Sequence, residues 1–187
     1  MARLELIDPE TATGDVAAAF AAVPVKLNIF RMMAHAETCV IPQMMLGGAI
    51  LAQQALGHSE RELLILLVAH LEGGAYEWRQ HLQIALGVGV TQSQIDALAR
   101  TDLAAPAFSD SERALLAFGR QVIETAHVDD AVFAEVRRHF SPREIVEAIL
   151  DIGYYMTMTR LTEVTQTDLD PSAGMSVFNT AQGAAKG

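Results

Sequence analysis

The sequence predicts an all-α fold, a bundle of seven or eight helices joined by short loops, and three observations carry that prediction. No segment alternates apolar and polar residues with β-branched enrichment between turn dipeptides, so no sheet is expected. Four segments open with Ser or Thr followed three residues later by Glu or Gln: Ser59/Glu62, Thr91/Gln94, Ser109/Glu112 and Ser141/Glu144. In each, the two side chains can reciprocally satisfy backbone N–H groups at a helix start. Apolar residues then recur at helical spacing, most clearly at Leu115, Leu116, Phe118, Val122 and Ile123.

Taken in order, residues 1–9 read as an extended lead-in. Asp8-Pro9-Glu10 and Thr13 offer starts for a short Ala-rich helix to about Val23, closed by Pro24. Asn28 can cap a brief helix through Ile29, Phe30, Met32 and Met33. Pro42 suits the first position of a helix over Gln43 to Leu56, ended by Gly57. Gly47-Gly48 within it costs about 1 kcal/mol per glycine against alanine, tolerable where another helix packs closely. From Ser59 a helix runs apolar through its middle, turns at Gly73-Gly74, and is followed by one carrying Tyr76, Glu77, Trp78 and His81. The helix after Thr91 ends near Arg100, and Asp129-Asp130 opens one through Phe133, Val136 and Phe140. Pro142 starts the longest, Ile145 to about Thr165, with Gly153-Tyr154-Tyr155-Met156 at its middle. Residues 1–170 form one domain, and 171–187 read as a loose tail or an arm against a neighbouring subunit.

The composition excludes several classes. With 187 residues, 51% hydrophobic and 19% charged, the chain is globular and long enough to bury a core. A formal charge of −10, with 13 Lys+Arg against 23 Asp+Glu, argues against nucleic-acid binding. Cys39 is the single cysteine, which excludes an intramolecular disulfide, a Cys-x-x-Cys redox centre and a thiolate zinc cluster. The N-terminus lacks an apolar signal core and the longest apolar run, Leu63 to Ala69, is far short of a membrane span. A cytoplasmic protein is expected.

The densest chemistry lies at Tyr76 to His81. Glu77 and His81 are four apart, so they share a helix face on which a carboxylate can poise an imidazole as general acid or base. The same spacing also stabilises ordinary exposed helix faces. Tyr76 and Trp78 can line a pocket, or simply pack. Glu62 is explained by its cap unless the start of its helix faces His81. His70 reads as a satisfied core or interface residue, His35 and His139 at helix ends read as structural, and His58 and His127 sit at loop ends. No H-E-x-x-H spacing occurs and no Gly-rich loop follows a strand, so no metal, nucleotide or other cofactor is expected. The methionines read as adaptable filler.

These residues resemble the carboxymuconolactone decarboxylase family, which includes the alkylhydroperoxidase-D-like proteins. The carrying motifs are R-E-L-L-I-L-L-V-A (Arg61 to Ala69), Y-E-W-R-Q-H (Tyr76 to His81) and G-V-T-x-x-x-I (Gly89 to Ile95), within about Ile41 to Leu98. In the peroxidase branch, a glutamate, a Cys-x-x-Cys and a histidine form a proton relay. The matching positions are Glu62, Gly74, Glu77 and His81, so both thiols are missing and thiol peroxidase chemistry by that route is excluded. The Glu-Trp-x-x-His version resembles the decarboxylase branch, in which a carboxylated muconolactone loses carbon dioxide without a cofactor. The resemblance implies His81 as proton carrier, Glu77 or Glu62 setting its charge state, and Tyr76 as oxyanion donor. It also implies an arginine, from Arg31, Arg79 or Arg160, near a substrate carboxylate. Homo-oligomers, trimers or hexamers, with a small-molecule substrate are implied as well. A family member that binds or assembles without turnover is the alternative.

Overall fold

The computed structural model describes residues 2–23 and 25–184. Among the described residues there are ten α-helices and no strand. They are α1 (Gly14–Ala22), α2 (Asn28–Met33), α3 (Glu37–Gln53), α4 (His58–Glu72), α5 (Ala75–Val88), α6 (Gln92–Leu98), α7 (Asp110–Thr125), α8 (Asp130–His139), α9 (Pro142–Thr165) and α10 (Met175–Ala184). The all-α class is as predicted. The count exceeds seven or eight: the brief helix expected after Asn28 forms as α2, and the segment read as a tail adds α10.

Helix α4 is the axis of the bundle. Leu63 to Ala69 are all buried, and α5, α7 and α9 pack around it. A helix apolar on every side must be covered on every side. Its two flanks feed separate apolar clusters. One joins Leu64, Ile65 and Val68 to α1, α2, α3 and α9; the other joins Leu63, Leu66 and Leu67 to α5, α6 and α7. Gly73, at φ 73°, adopts the left-handed conformation that ends α4 and turns the chain into α5. Gly119 lets α7 approach closely, since a Cβ there would lie 2.7 Å from Leu64 Cδ2.

Three of the four predicted capping boxes form, at Thr91/Gln94, Ser109/Glu112 and Ser141/Glu144. The fourth does not. Helix α4 starts earlier, with Gly57 as N-cap, so Ser59 is already inside the helix and bonds Glu60 at 2.8 Å, while Glu62 turns into the core. Asn28 likewise is not a cap. It is the first residue of α2, where its backbone N–H donates to Asp170 and its side chain donates to the carbonyl of Asp168. Helix α3 begins at Glu37 rather than at Pro42, which lies inside it. Pro42 and Thr38, whose carbonyl loses its bond, are both exposed, so water compensates. The Ala-rich helix α1 starts after Thr13 as expected, though the Thr13 side chain makes no capping hydrogen bond; its closure at Pro24 lies outside the described residues.

The segment read as a loose tail or intersubunit arm, 171–187, folds back on its own chain over its described part. Helix α10 packs on α3 and α5, with Phe178 only 8% exposed. No helix among the described residues is long and apolar enough to cross a membrane.

Candidate active site

The earlier start of α4 sets the site, because it carries Arg61 and Glu62 inward, both fully buried. Arg61 is held from several sides. Its Nη1 donates to the Leu51 carbonyl at 3.0 Å, one of the carbonyls left orphaned at the end of α3, and approaches His58 Nδ1 at 2.9 Å. Its Nε and Nη2 both donate to Glu62 Oε1, at 3.2 and 2.9 Å. The Phe178 ring of α10 covers the guanidinium at 5.4 Å.

The other oxygen of Glu62 reaches across to α5, where Oε2 lies 2.8 Å from His81 Nδ1. An ionised carboxylate only accepts, so Nδ1 carries the hydrogen and the neutral ring leaves Nε2 as the basic nitrogen. No hydrogen bond to Nε2 forms among the described residues. The ring is 8% exposed, sits edge-on to Tyr155 with centroids 4.8 Å apart, and lines a cavity of about 580 Å³. That is the size of a small-molecule site.

Helices α1, α2, α3, α5, α9 and α10, with the segment leading into α10, wall this cavity, mostly with alanine, methionine and branched aliphatic side chains. Its polar groups come chiefly from α5 (Tyr76, Glu77, Gln80, His81) and α9 (Tyr154, Tyr155). The hydroxyls of Tyr154 and Tyr155 have no hydrogen-bond partner among the described residues. Burial raises both phenols above the usual tyrosine range, with the charge on Glu62 adding at Tyr155.

The expected residues do not all converge. His81 and Glu62 meet, and Glu77 and Tyr76 reach the cavity wall. Glu77, however, forms no hydrogen bond to His81. Its oxygens accept from Thr162 Oγ1 on α9 at 3.1 and 3.2 Å, and burial pushes its carboxyl up. The i,i+4 spacing does place the two on one face, but that face is buried and each side chain finds a tertiary partner there. Tyr76 is committed too: its hydroxyl donates to Asp170 and accepts from the Ile29 N–H at 3.2 Å, leaving no proton for an oxyanion. Trp78 lies elsewhere, partly buried in the second cluster near His70, with ring centroids 6.1 Å apart.

None of the three arginines expected near a substrate carboxylate lines the cavity. Arg31 binds the Ile7 carbonyl at 3.0 Å, Arg160 pairs with Glu72 at 2.5 Å, and Arg79 is exposed. Cys39 is exposed on α3, away from the cavity lining.

Sequence reasoning missed Arg61, Gln80, Asp151 and the Tyr154-Tyr155 pair as parts of this site. Gln80 fastens the C-terminal segment, donating to the Pro171 carbonyl at 3.2 Å and accepting from the Ala173 N–H at 3.0 Å. Asp151 on α9 is fully buried beside Arg61 and Glu62, and neither carboxyl oxygen has a hydrogen-bond partner. Burial lifts its carboxyl well above the carboxylate range; the charge on Glu62 adds to this and Arg61 opposes it. The sequence did carry a signal for the tyrosines, paired aromatics at the centre of the longest helix, and the structure sets Tyr154 against Gly47 of α3. Among the described residues, no group of three or more His, Cys, Asp or Glu is placed to hold a metal.

Residues 43–121 match the carboxymuconolactone decarboxylase family. No curated protein matches the sequence. Among solved structures, an uncharacterised peroxidase-related protein with an alkylhydroperoxidase AhpD core from Ralstonia eutropha JMP134 superposes with a TM-score of 0.77, at 18% identity over 97% of this chain and 96% of that one. An uncharacterised peroxidase-related protein from Silicibacter sp. TM1040 gives 0.75, at 16% identity over 95% of each chain. A structure of the debrominase Bmp8 in complex with 2,3,4-tribromopyrrole gives 0.69, at 16% identity over 90% of this chain and 88% of that one. The chain is thus similar to the carboxymuconolactone decarboxylase family over residues 43–121, and as a whole it has the alkylhydroperoxidase-D-like all-α fold.

Proposed function

We propose that this protein is a cofactor-free lyase or isomerase that moves a proton at His81 of a small organic substrate, of the carboxylated-lactone or aromatic-catabolism class that the family suggests. One observation carries the reading. His81 is held through Nδ1 by a buried carboxylate, itself clamped by Arg61, while the ring faces a mostly apolar cavity. Glu62 fixes the tautomer and Nε2 takes or delivers the proton. A thiol route finds no support, because glycine and glutamate stand at Gly74 and Glu77, where the peroxidase branch has its cysteines. The tribromopyrrole held by the debrominase supports a ring-sized ligand for this fold. Assembly into trimers or hexamers belongs to the same proposal and is supported by Val146, Ile149 and Leu150, left exposed on α9. A monomer mass in light scattering would remove it.

The test is His81→Asn, whose amide can still donate to Glu62 but has no basic nitrogen. Turnover of a candidate lactone should fall by about 10²- to 10⁴-fold while the melting temperature holds. Retained turnover with a large loss of stability would assign His81 to packing and leave a binding or assembly role.

A further inference from the structure

Helices α1, α2 and α3 contribute no cationic side chain to the cavity wall, and neither does the α10 segment over its described residues. Helix α5 contributes Glu77 and His81; α9 contributes only the phenols Tyr154 and Tyr155 and apolar groups. The single group able to become cationic is therefore His81, and its Nδ1 is already taken by Glu62. A bound carboxylate would be stripped of water beside Glu77 with no guanidinium or ammonium to receive it, which is strongly unfavourable.

The cavity does offer a neutral ligand a handle. Tyr154 is 8% exposed, reaches the cavity wall, and has an unpartnered hydroxyl. Gly47 makes that placement possible: a Cβ there would lie 2.3 Å from the hydroxyl oxygen, so only glycine lets the phenol lie against α3. A phenol in this setting stays protonated and therefore donates.

We propose that the cavity takes an uncharged, ring-sized carbonyl compound, an unsaturated lactone or enone, whose carbonyl oxygen accepts from the Tyr154 hydroxyl. This rests on the proton-transfer reading of His81, narrows it to isomerisation and replaces the carboxylated ligand with a neutral one. His81 Nε2 takes a proton from the carbon next to the carbonyl: the C–H bond breaks, an N–H bond forms, and the electron pair enters a dienolate whose oxygen the Tyr154 O–H holds. The same proton then returns to the far carbon, the N–H bond breaks and the double bond moves into conjugation. Nothing is oxidised or reduced, and no co-reactant is needed.

The probe is α-angelica lactone, a neutral lactone whose shift into conjugation is followed by ultraviolet absorbance. The protein should accelerate the shift, and His81→Asn should abolish the acceleration. Tyr154→Phe should lower kcat about 10²-fold with an unchanged melting temperature. In calorimetry, γ-butyrolactone should bind at least about tenfold more tightly than its γ-carboxylate. Tighter binding of the carboxylate, or full activity in Tyr154→Phe, would overturn the proposal. Isomerisation or decarboxylation of a carboxylated lactone but not of the neutral one overturns the ligand class and leaves His81 as proton carrier. Preferential binding of the neutral ring with no reaction in any variant supports the ligand class and overturns the proton-transfer reading.

Discussion

Glu62 and Glu144 stand in the same local code, Ser-x-Arg-Glu, and meet opposite fates. Glu144 closes a capping box with Ser141, whereas Glu62 is buried and grips Arg61 and His81. The difference is one of register. Gly57 caps α4, which puts Glu60 at the third helical position and Glu62 two residues further on, facing the core. Local pattern cannot decide between these registers, because the deciding partners arrive from α3, α5 and α10. Asp151, beside this pair, lends itself to a direct measurement. Its folded-state carboxyl titrates well above the ordinary value of 3.8, so the native protein retains a proton that the unfolded chain gives up. Folding then takes up a proton across that window, and stability falls as pH rises through it. Glu77, also raised, contributes in the same direction. Thermal melts of wild type and Asp151→Asn should diverge as pH rises above the ordinary carboxylate value, with wild type losing ground. A difference independent of pH would mean that Asp151 is ionised in the native state.

At the scale of elements, Gly47 and Gly48 show how neighbouring residues in one helix serve different ends. Gly47 faces Tyr154 at closest approach, while a Cβ at Gly48 would meet nothing within 4 Å. Gly47→Ala should cost about 1–3 kcal/mol in denaturant unfolding, from overpacking against α9. Gly48→Ala should gain about 0.5–1 kcal/mol from helix propensity. Equal effects would refute the close contact. The glycine pair was legible in the sequence as a packing point, as were the α4–α5 turn at Gly73 and three of the capping boxes. Those features are local, decided within a few residues of the chain. Arg61, Tyr154 and Gln80 were not legible as site residues, because each acts on a partner distant in sequence or on empty space. His81 fell between the two cases. The motif marked it, but its partner proved to be Glu62 across the turn and not Glu77 on its own helix.

For the molecule as a whole, the C-terminal segment completes the site instead of trailing from it. Gln80 fastens its start, Gln182 Nε2 donates to the Leu51 carbonyl at 3.2 Å, and Phe178 caps Arg61 and His58. Phe178→Ala should release α10 locally: hydrogen exchange over 175–184 should rise well before global unfolding, with the bundle around α4 still protected. Unchanged exchange there would show α10 to be held by other contacts. The aromatic residues divide along the same lines. All three tyrosines, Tyr76, Tyr154 and Tyr155, line the cavity, whereas the single tryptophan, Trp78, belongs to the second cluster on the far flank of α4. The protein thus carries two intrinsic optical reporters. Tyrosine difference absorbance will register a ligand entering the cavity, while tryptophan emission excited at its red edge will follow the unfolding of the opposite half and stay silent on occupancy.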